Sequence, residues 1–186
     1  MAIAAHGDSK YLTSDQLGEM DAQSLRVELR RFHSGQQFDI TPQCTEVAIM
    51  LAGRSKVERT GDGLRQQGIA RAGTLWLCPA GVHESGIVIT GEILECLHIY
   101  IPSTLIDHSA LADYDLDPAK MHLAYAGGFV DPDVLQLATS FRTMLDRDLQ
   151  PTDRLFLDGM QTALAAHLLG HYTHDRWQPR TRAAPR

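Results

Sequence analysis

Basic charge is in the minority in this chain. Seventeen lysines and arginines stand against 23 aspartates and glutamates, a formal charge of −6. Four of the arginines, Arg176, Arg180, Arg182 and Arg186, fall in the last twelve residues with Asp175 as the one opposing acid, so the rest of the chain is more acidic still. Lysine and arginine contacts to phosphate supply much of nucleic-acid affinity, and an acidic body without a basic face is expected not to bind nucleic acid directly. Long apolar runs are also missing. Val47 to Ala52 and Ile87 to Ile89 are far short of the roughly 20 residues a membrane helix requires, so no membrane partner is expected. Met1 to Asp8 lacks the basic start and the extended apolar stretch of a secretory signal, which sets a cytoplasmic expectation. Cysteine is scarce: Cys44, Cys78 and Cys96 are an odd set without a CxxC pair, which suits buried small hydrophobes in a reducing compartment better than a disulfide framework. A Walker loop, a dinucleotide fingerprint and an HExxH motif are all absent.

What remains is an ordinary globular composition, 44% hydrophobic and 22% charged over 186 residues, enough for one core with a small appendage. Residues 1–23 show little periodicity and read as an N-terminal arm. From Leu25 to Phe32, Leu25, Val27 and Leu29 alternate with Arg26, Glu28 and Arg30, the period of a half-buried strand. Glu46 to Leu51, closed by Gly53, and Lys56 to Arg59, before Thr60-Gly61-Asp62-Gly63, read as further strands around glycine-rich turns. Thr74 to Cys78, Gly86 to Thr90 and Ile93 to Ile101 add three more, broken by Pro79-Ala80-Gly81 and Thr90-Gly91-Glu92. Short strands at close spacing favour a barrel or sandwich. Alternation in the last piece sets Leu94, Cys96, His98 and Tyr100 on one side and Ile93, Glu95, Leu97, Ile99 and Ile101 on the other, without telling which side is interior. After a connecting segment over 103–130, Asp131-Pro132 caps a helix carrying Val134, Leu137, Ala138, Phe141, Met144 and Leu145 at helical spacing. Pro151-Thr152-Asp153 opens a second, striped by Leu155, Phe156, Met160, Ala163, Leu164, His167 and Leu168. The short link predicts an antiparallel pair over 131–174, and residues 175–186 read as a basic, proline-containing, solvated tail.

The segment Gly73 to Pro102 carries a glycine opening a strand, a hydrophobic run, Pro-Ala-Gly, His-Glu, Gly-Glu and Leu-His-Ile-Tyr-Ile-Pro. In that order these resemble the N-terminal sensor domain of AraC-type transcription regulators, with agreement extending through Glu46 to Gly53 and Gly128 to Tyr172. The resemblance implies a mainly β chain with C-terminal helices: a cupin-like, double-stranded β-helix barrel over 24–102 that binds a small molecule, followed by helices that pair two subunits. It implies a linker where Arg176 to Arg186 stand, with DNA binding belonging to a further domain of a longer parent. The expectation is therefore a ligand-sensing and dimerising module, not an enzyme, with a small-molecule effector and a second copy of the chain as partners and no cofactor.

Candidate ligand-binding residues are Trp76, His83, Glu84, His98, Tyr100 and His33, which offer aromatic surface and hydrogen-bonding groups to a barrel interior. GTLWLCPAGVH approximates a cupin motif, but one residue separates Gly81 from His83 where metal-binding cupins have two, and Glu46 to Arg59 contains no histidine. A metal site would have His33, His83, Glu84 and His98 to draw on, and none is expected; a metal-dependent isomerase or dioxygenase is the alternative, and a ligand-free scaffold the third reading. A Cys78/His83 nucleophile pair is less convincing than a buried cysteine. His167, His171 and His174, at spacings of four and three, could chelate a cation, although a polar helix end accounts for them. Leu155, Phe156, Met160, Leu164 and Leu168 exceed what one helix needs to cover a sheet and are the candidate dimerisation residues.

Overall fold

The computed structural model describes residues 11–22, 25–106 and 113–177; the first ten residues of the expected arm and the tail beyond Trp177 lie outside the described residues. Eight strands and two α-helices form among these: β1 Ser14–Ala22, β2 Leu25–Phe32, β3 Gly35–Gln36, β4 Thr45–Gly61, β5 Leu64–Ala70, β6 Thr74–Cys78, β7 Glu84–Ile101, β8 Ala126–Val130, α1 Pro132–Met144 and α2 Pro151–His171. All ladders between them are antiparallel, in the order β1-β2-β7-β4-β6-β8, with β3 on β7 and β5 on β4. β1 and β8 end that path without pairing to each other, so the expected closed barrel is instead a β-sandwich folded from one sheet. Among the described residues, no helix is long and apolar enough to cross a membrane.

Two long strands make the fold. β4 and β7 pair from Thr45↔Ile101 to Gly61↔Glu84, with register shifts between Met50 and Gly53 and between Glu58 and Thr60. Such bulges bend a strand and sharpen its twist, which lets a single sheet turn back over itself. Gly53 makes the central bend possible: its φ is +108°, and a Cβ there would lie 2.8 Å from the Leu94 amide nitrogen and 3.0 Å from the Glu92 carbonyl oxygen. The breaks read from sequence at Gly53 and at Thr90-Gly91-Glu92 are therefore bends inside continuous strands. β1 also differs from expectation, forming within the arm by pairing Ser14–Ala22 with β2, and β8 forms within the connecting segment by pairing with β6.

Alternation divides the sheet into two buried faces. Val27, Leu29, Val47, Ile49, Leu75, Leu77, Leu97 and Ile99, none more than 3% exposed, face the helices and pack with Val134, Phe141, Leu157, Leu164 and Leu168. Each such side chain contributes about 1.5–3 kcal/mol on burial. The opposite face gathers Phe32, Val57, Trp76, Ile89, Ile93 and Cys96. Thus Cys96 and His98 of β7 look away from the helices, while Leu97, Ile99 and Ile101 look toward them; the bulge turns Ile93 to the Cys96 side and leaves Leu94 exposed. The polar half of β2 is not solvated either, since Glu28 and Arg30 are buried at 1% and 4%.

Asp131 caps α1 through Oδ1, which accepts from the Asp133 and Val134 amides. Gln150 and Asp153 form a reciprocal capping box on α2, with Pro151 in its first turn. Of the expected dimerisation stripe, Met160, Leu164 and Leu168 are committed to the core and have no surface for a partner, whereas Leu155 and Phe156 are 77% and 52% exposed. The beginning of the expected solvated tail also folds back: Arg176 donates to the Gly170 carbonyl and Trp177 lies 6.4 Å from the Phe129 ring.

Candidate functional site

Strands β2, β4, β6 and β7 present their second face to a cavity of about 70 Å³, walled by Phe32, Ala48, Val57, Trp76, Cys78, Ile87, Ile89, Ile93 and Cys96. Polar groups enter at a few fixed points: Tyr11, Gln37, Glu46, Arg59, Glu84 and His98. This is the usual composition of a small-molecule pocket, an apolar wall with a small number of placed polar groups.

Glu46 of β4 and His98 of β7 face each other because Glu46 pairs with Tyr100 and Ala48 with His98 along the ladder. His98 Nδ1 lies 2.6 Å from Glu46 Oε1, and the Tyr11 hydroxyl donates to the same oxygen at 2.6 Å. Tyr11 also meets the Tyr100 hydroxyl at 2.9 Å, and Tyr100 donates to Glu28 at 3.2 Å. Glu28 in turn accepts from Arg30 and Arg26, and the Arg30 guanidinium lies over the Tyr11 ring at 4.3 Å. Burial, with the neighbouring Glu46 charge, pushes the Tyr11 and Tyr100 hydroxyls well above the ordinary phenol range. Burial also works to raise the Glu28 carboxyl, but the bonds and charge of Arg30, with His98 and Arg26, hold it below the ordinary value.

A second polar knot closes another part of the wall. Arg59 pairs with Glu84 at 2.8 Å and donates to Gln66 and to the carbonyls of Leu77 and Ala126. Tyr125 donates to Glu84 at 2.9 Å, and its ring lies 4.1 Å beneath the Arg59 guanidinium. The His98 imidazole lines the cavity at 4% exposure, and its buried Nε2 has no hydrogen-bond partner.

Trp76, Glu84 and His98 therefore line the cavity. Tyr100 is buried behind it and acts on Tyr11 and Glu28. His33 stands outside on the surface, paired with Asp15 at 2.8 Å, because it follows the end of β2. His83 is exposed and meets Thr41 at 3.2 Å, because the Pro79 turn ends before its ring can reach the interior. Cys78 lies in the wall without His83, and all three cysteines are buried and form no disulfide. Glu46, Arg59, Tyr11 and Tyr125 escape the sequence reading; their carboxylate, histidine and tyrosine partners are 25 to 89 residues away, and the available signal is the charge of Glu46 at the head of the apolar run Val47 to Ala52.

The histidine array of α2 is divided rather than assembled. His167 Nε2 meets Asp131 Oδ2 at 2.8 Å, His171 stacks on His167 at 4.4 Å, and His174 lies past the helix end. Asp131, Asp133 and His167 bring potential ligand atoms within 4.8 Å of one another, but Asp131 already holds the α1 amides, His167 and the Tyr172 hydroxyl.

No protein-family model matches the sequence, and no curated protein matches it significantly. Among solved structures, the AraC-like transcriptional activator CuxR is similar over 89% of this chain with a TM-score of 0.58 at 12% identity; the chain spans 57% of the length of that structure. A cupin superfamily protein from Desulfitobacterium hafniense DCB-2 matches over 49% of this chain and 79% of its own, at 14% identity and a TM-score of 0.39. Oxalate decarboxylase from Bacillus subtilis matches over 54% and 30%, at 18% identity and 0.36. At that TM-score of 0.58 the antiparallel sandwich with its two C-terminal helices shares the overall fold of the CuxR structure.

Proposed function

We propose that this chain is a small-molecule sensor module of the AraC-like kind, whose cavity takes an effector and whose α2 pairs two copies. The observation that carries the reading is the cavity itself: a space of about 70 Å³ with an apolar wall, where Glu46 and Glu84 are held by His98 and Arg59. Support also comes from CuxR, described as a transcriptional activator, whose likeness extends over 89% of the chain. Binding can act on the rest of the molecule only if it favours one arrangement over another. Tyr11 is placed for that, since it joins the segment before β1 to Glu46, His98 and Tyr100 at the cavity. For a metal-dependent cupin enzyme the sequence offered His33, His83, Glu84 and His98. Two of these are outside the cavity and Glu84 is engaged by Arg59, which leaves His98 Nε2 as the one unengaged ligand atom of the set, fewer than a metal site needs, and this favours the receptor.

Thermal-shift and calorimetric screening against metabolite panels tests the reading. An effector at a hundred times its Kd stabilises the fold by about 2.7 kcal/mol, and Ala48→Phe, which fills the cavity, is expected to abolish that gain while the chain stays folded. A panel hit unaffected by Ala48→Phe places the binding elsewhere and sinks the proposal.

A further inference from the structure

Most polar groups at the cavity are already engaged by the protein. Arg59 has donated four hydrogen bonds of the five a guanidinium can make. Glu84 receives Arg59 and Tyr125, and the Gln37 amide is tied to Thr13. His98 departs from this pattern. Its Nδ1 is fixed on Glu46 at 2.6 Å, while Nε2 is buried and unpartnered on a ring that lines the cavity. A buried polar atom left unpaired is destabilising, and a ligand that pairs with it recovers that cost.

Resting on the receptor reading above, we infer that the cavity takes a small weak acid, a compact apolar body carrying one carboxyl or phenolic hydroxyl whose acidic oxygen hydrogen-bonds His98 Nε2. Three observations converge on this class. The Glu46 carboxylate assigns the Nδ1 proton, so Nε2 offers a lone pair to an O–H or, having taken that proton, an N–H to the resulting anion; an acidic oxygen serves both states. Such a ligand enters neutral and brings its own proton, so the site gains no net charge. A permanently charged group would instead need a counter-charge that the engaged Arg59 and Glu84 cannot offer. Finally, Phe32, Val57, Trp76, Ile89 and Ile93 give the remainder of the ligand an apolar wall.

The test follows the imidazole nitrogens of the full chain by long-range ¹H–¹⁵N spectroscopy during titration with isobutyric acid and phenol, and with isobutyramide and toluene as shape-matched non-acids. The two acids are expected to saturate, to move the His98 Nε2 resonance, and to bind at least tenfold tighter than their non-acidic counterparts; His98→Gln is expected to erase the difference, and Glu46→Gln to reduce it. The wild-type comparison decides even where a variant fails to fold. Equal binding of acid and non-acid, with Nε2 unmoved, overturns the weak-acid inference while leaving the receptor intact. Silence from all four probes up to tens of millimolar also overturns it, and the receptor reading falls with it only if the metabolite panel is empty too.

Discussion

Three carboxylates, Glu28, Glu46 and Glu84, are each at most 3% exposed, and each is held by a donor of opposite or matching character: Arg30, His98 with Tyr11, and Arg59 with Tyr125. Removing one member of a buried pair strands the other, at about 3–5 kcal/mol. Glu84→Gln is accordingly expected to lower the unfolding free energy in urea by about 3 kcal/mol, because Arg59 keeps its charge and loses its counter-ion. The double change Arg59→Met with Glu84→Leu is expected to restore most of that loss; a double variant as unstable as the sum of its singles would show that the pair does not act as a unit. This coupling also explains how far the site was legible in the sequence. Trp76, Glu84 and His98 could be named because they lie within a strand or at its start, in a segment with a recognisable order. Glu46 and Arg59 could not, because what makes them interior is the β4–β7 register, which brings together residues 52 and 25 positions apart. His33 and His83 are the same residue type as His98, but they sit at a strand end and a turn, where nothing directs the ring inward.

At the scale of elements, local chemistry was readable wherever it was sufficient. β2 and both helix starts coincide with the periodicity and the Asp-Pro and Pro-Thr-Asp signals. Gly53 and Gly91 misled, since a glycine that stops a strand and one that bends it leave the same mark; only the close approach of Leu94 distinguishes them. Gly53→Ala is expected to cost more than about 1 kcal/mol, the penalty for a side chain at positive φ, and to appear as a lower Tm; an unchanged Tm would mean that the bend does not depend on glycine. β8 was missed because Ala-Gly-Gly-Phe-Val has little strand propensity and forms through pairing with β6. Asp131 joins two elements, capping α1 while receiving His167 and Tyr172 from the end of α2. Burial works to raise its carboxyl, but the Tyr172, Val134 and His167 bonds hold it below the ordinary value. A depressed folded value means that its contribution is complete above the unfolded pKa, about 3.9, and is lost as pH falls through the folded one. Asp131→Ala should therefore destabilise by about 1 kcal/mol or more at neutral pH, with the gap to wild type closing below about pH 4 in pH-dependent urea melts. A gap of constant size down to pH 2 would exclude the charged carboxylate as its cause.

At the scale of the whole molecule, the order of strands first and helices after was evident from the change of period near residue 131, whereas the number of sheet layers was not, because a single bent sheet buries both of its faces. That double burial bears on assembly. α2 spends Leu157, Met160, Leu164 and Leu168 on the helix-facing core, and what remains outward near its start is Leu155 and Phe156, with the small residues Gly159 and Ala163 also exposed one and two turns on. Large side chains next to small ones on a helix surface allow two copies to interlock, each placing Leu155 and Phe156 over the small residues of the other, and a two-fold axis would make the contact self-complementary. Leu155→Glu with Phe156→Glu is expected to convert a dimer to a monomer in sedimentation velocity, raising the dissociation constant at least a hundredfold, with circular dichroism and Tm of the monomer unchanged because neither side chain belongs to the core. Leu164→Glu, at the same helix's buried face, is expected instead to unfold the chain. A wild-type protein that sediments as a monomer at all concentrations, or a double-glutamate variant that remains dimeric, would remove α2 from the interface and leave the effector no route through subunit geometry, so that any response would have to travel through Tyr11 and the segment that precedes β1.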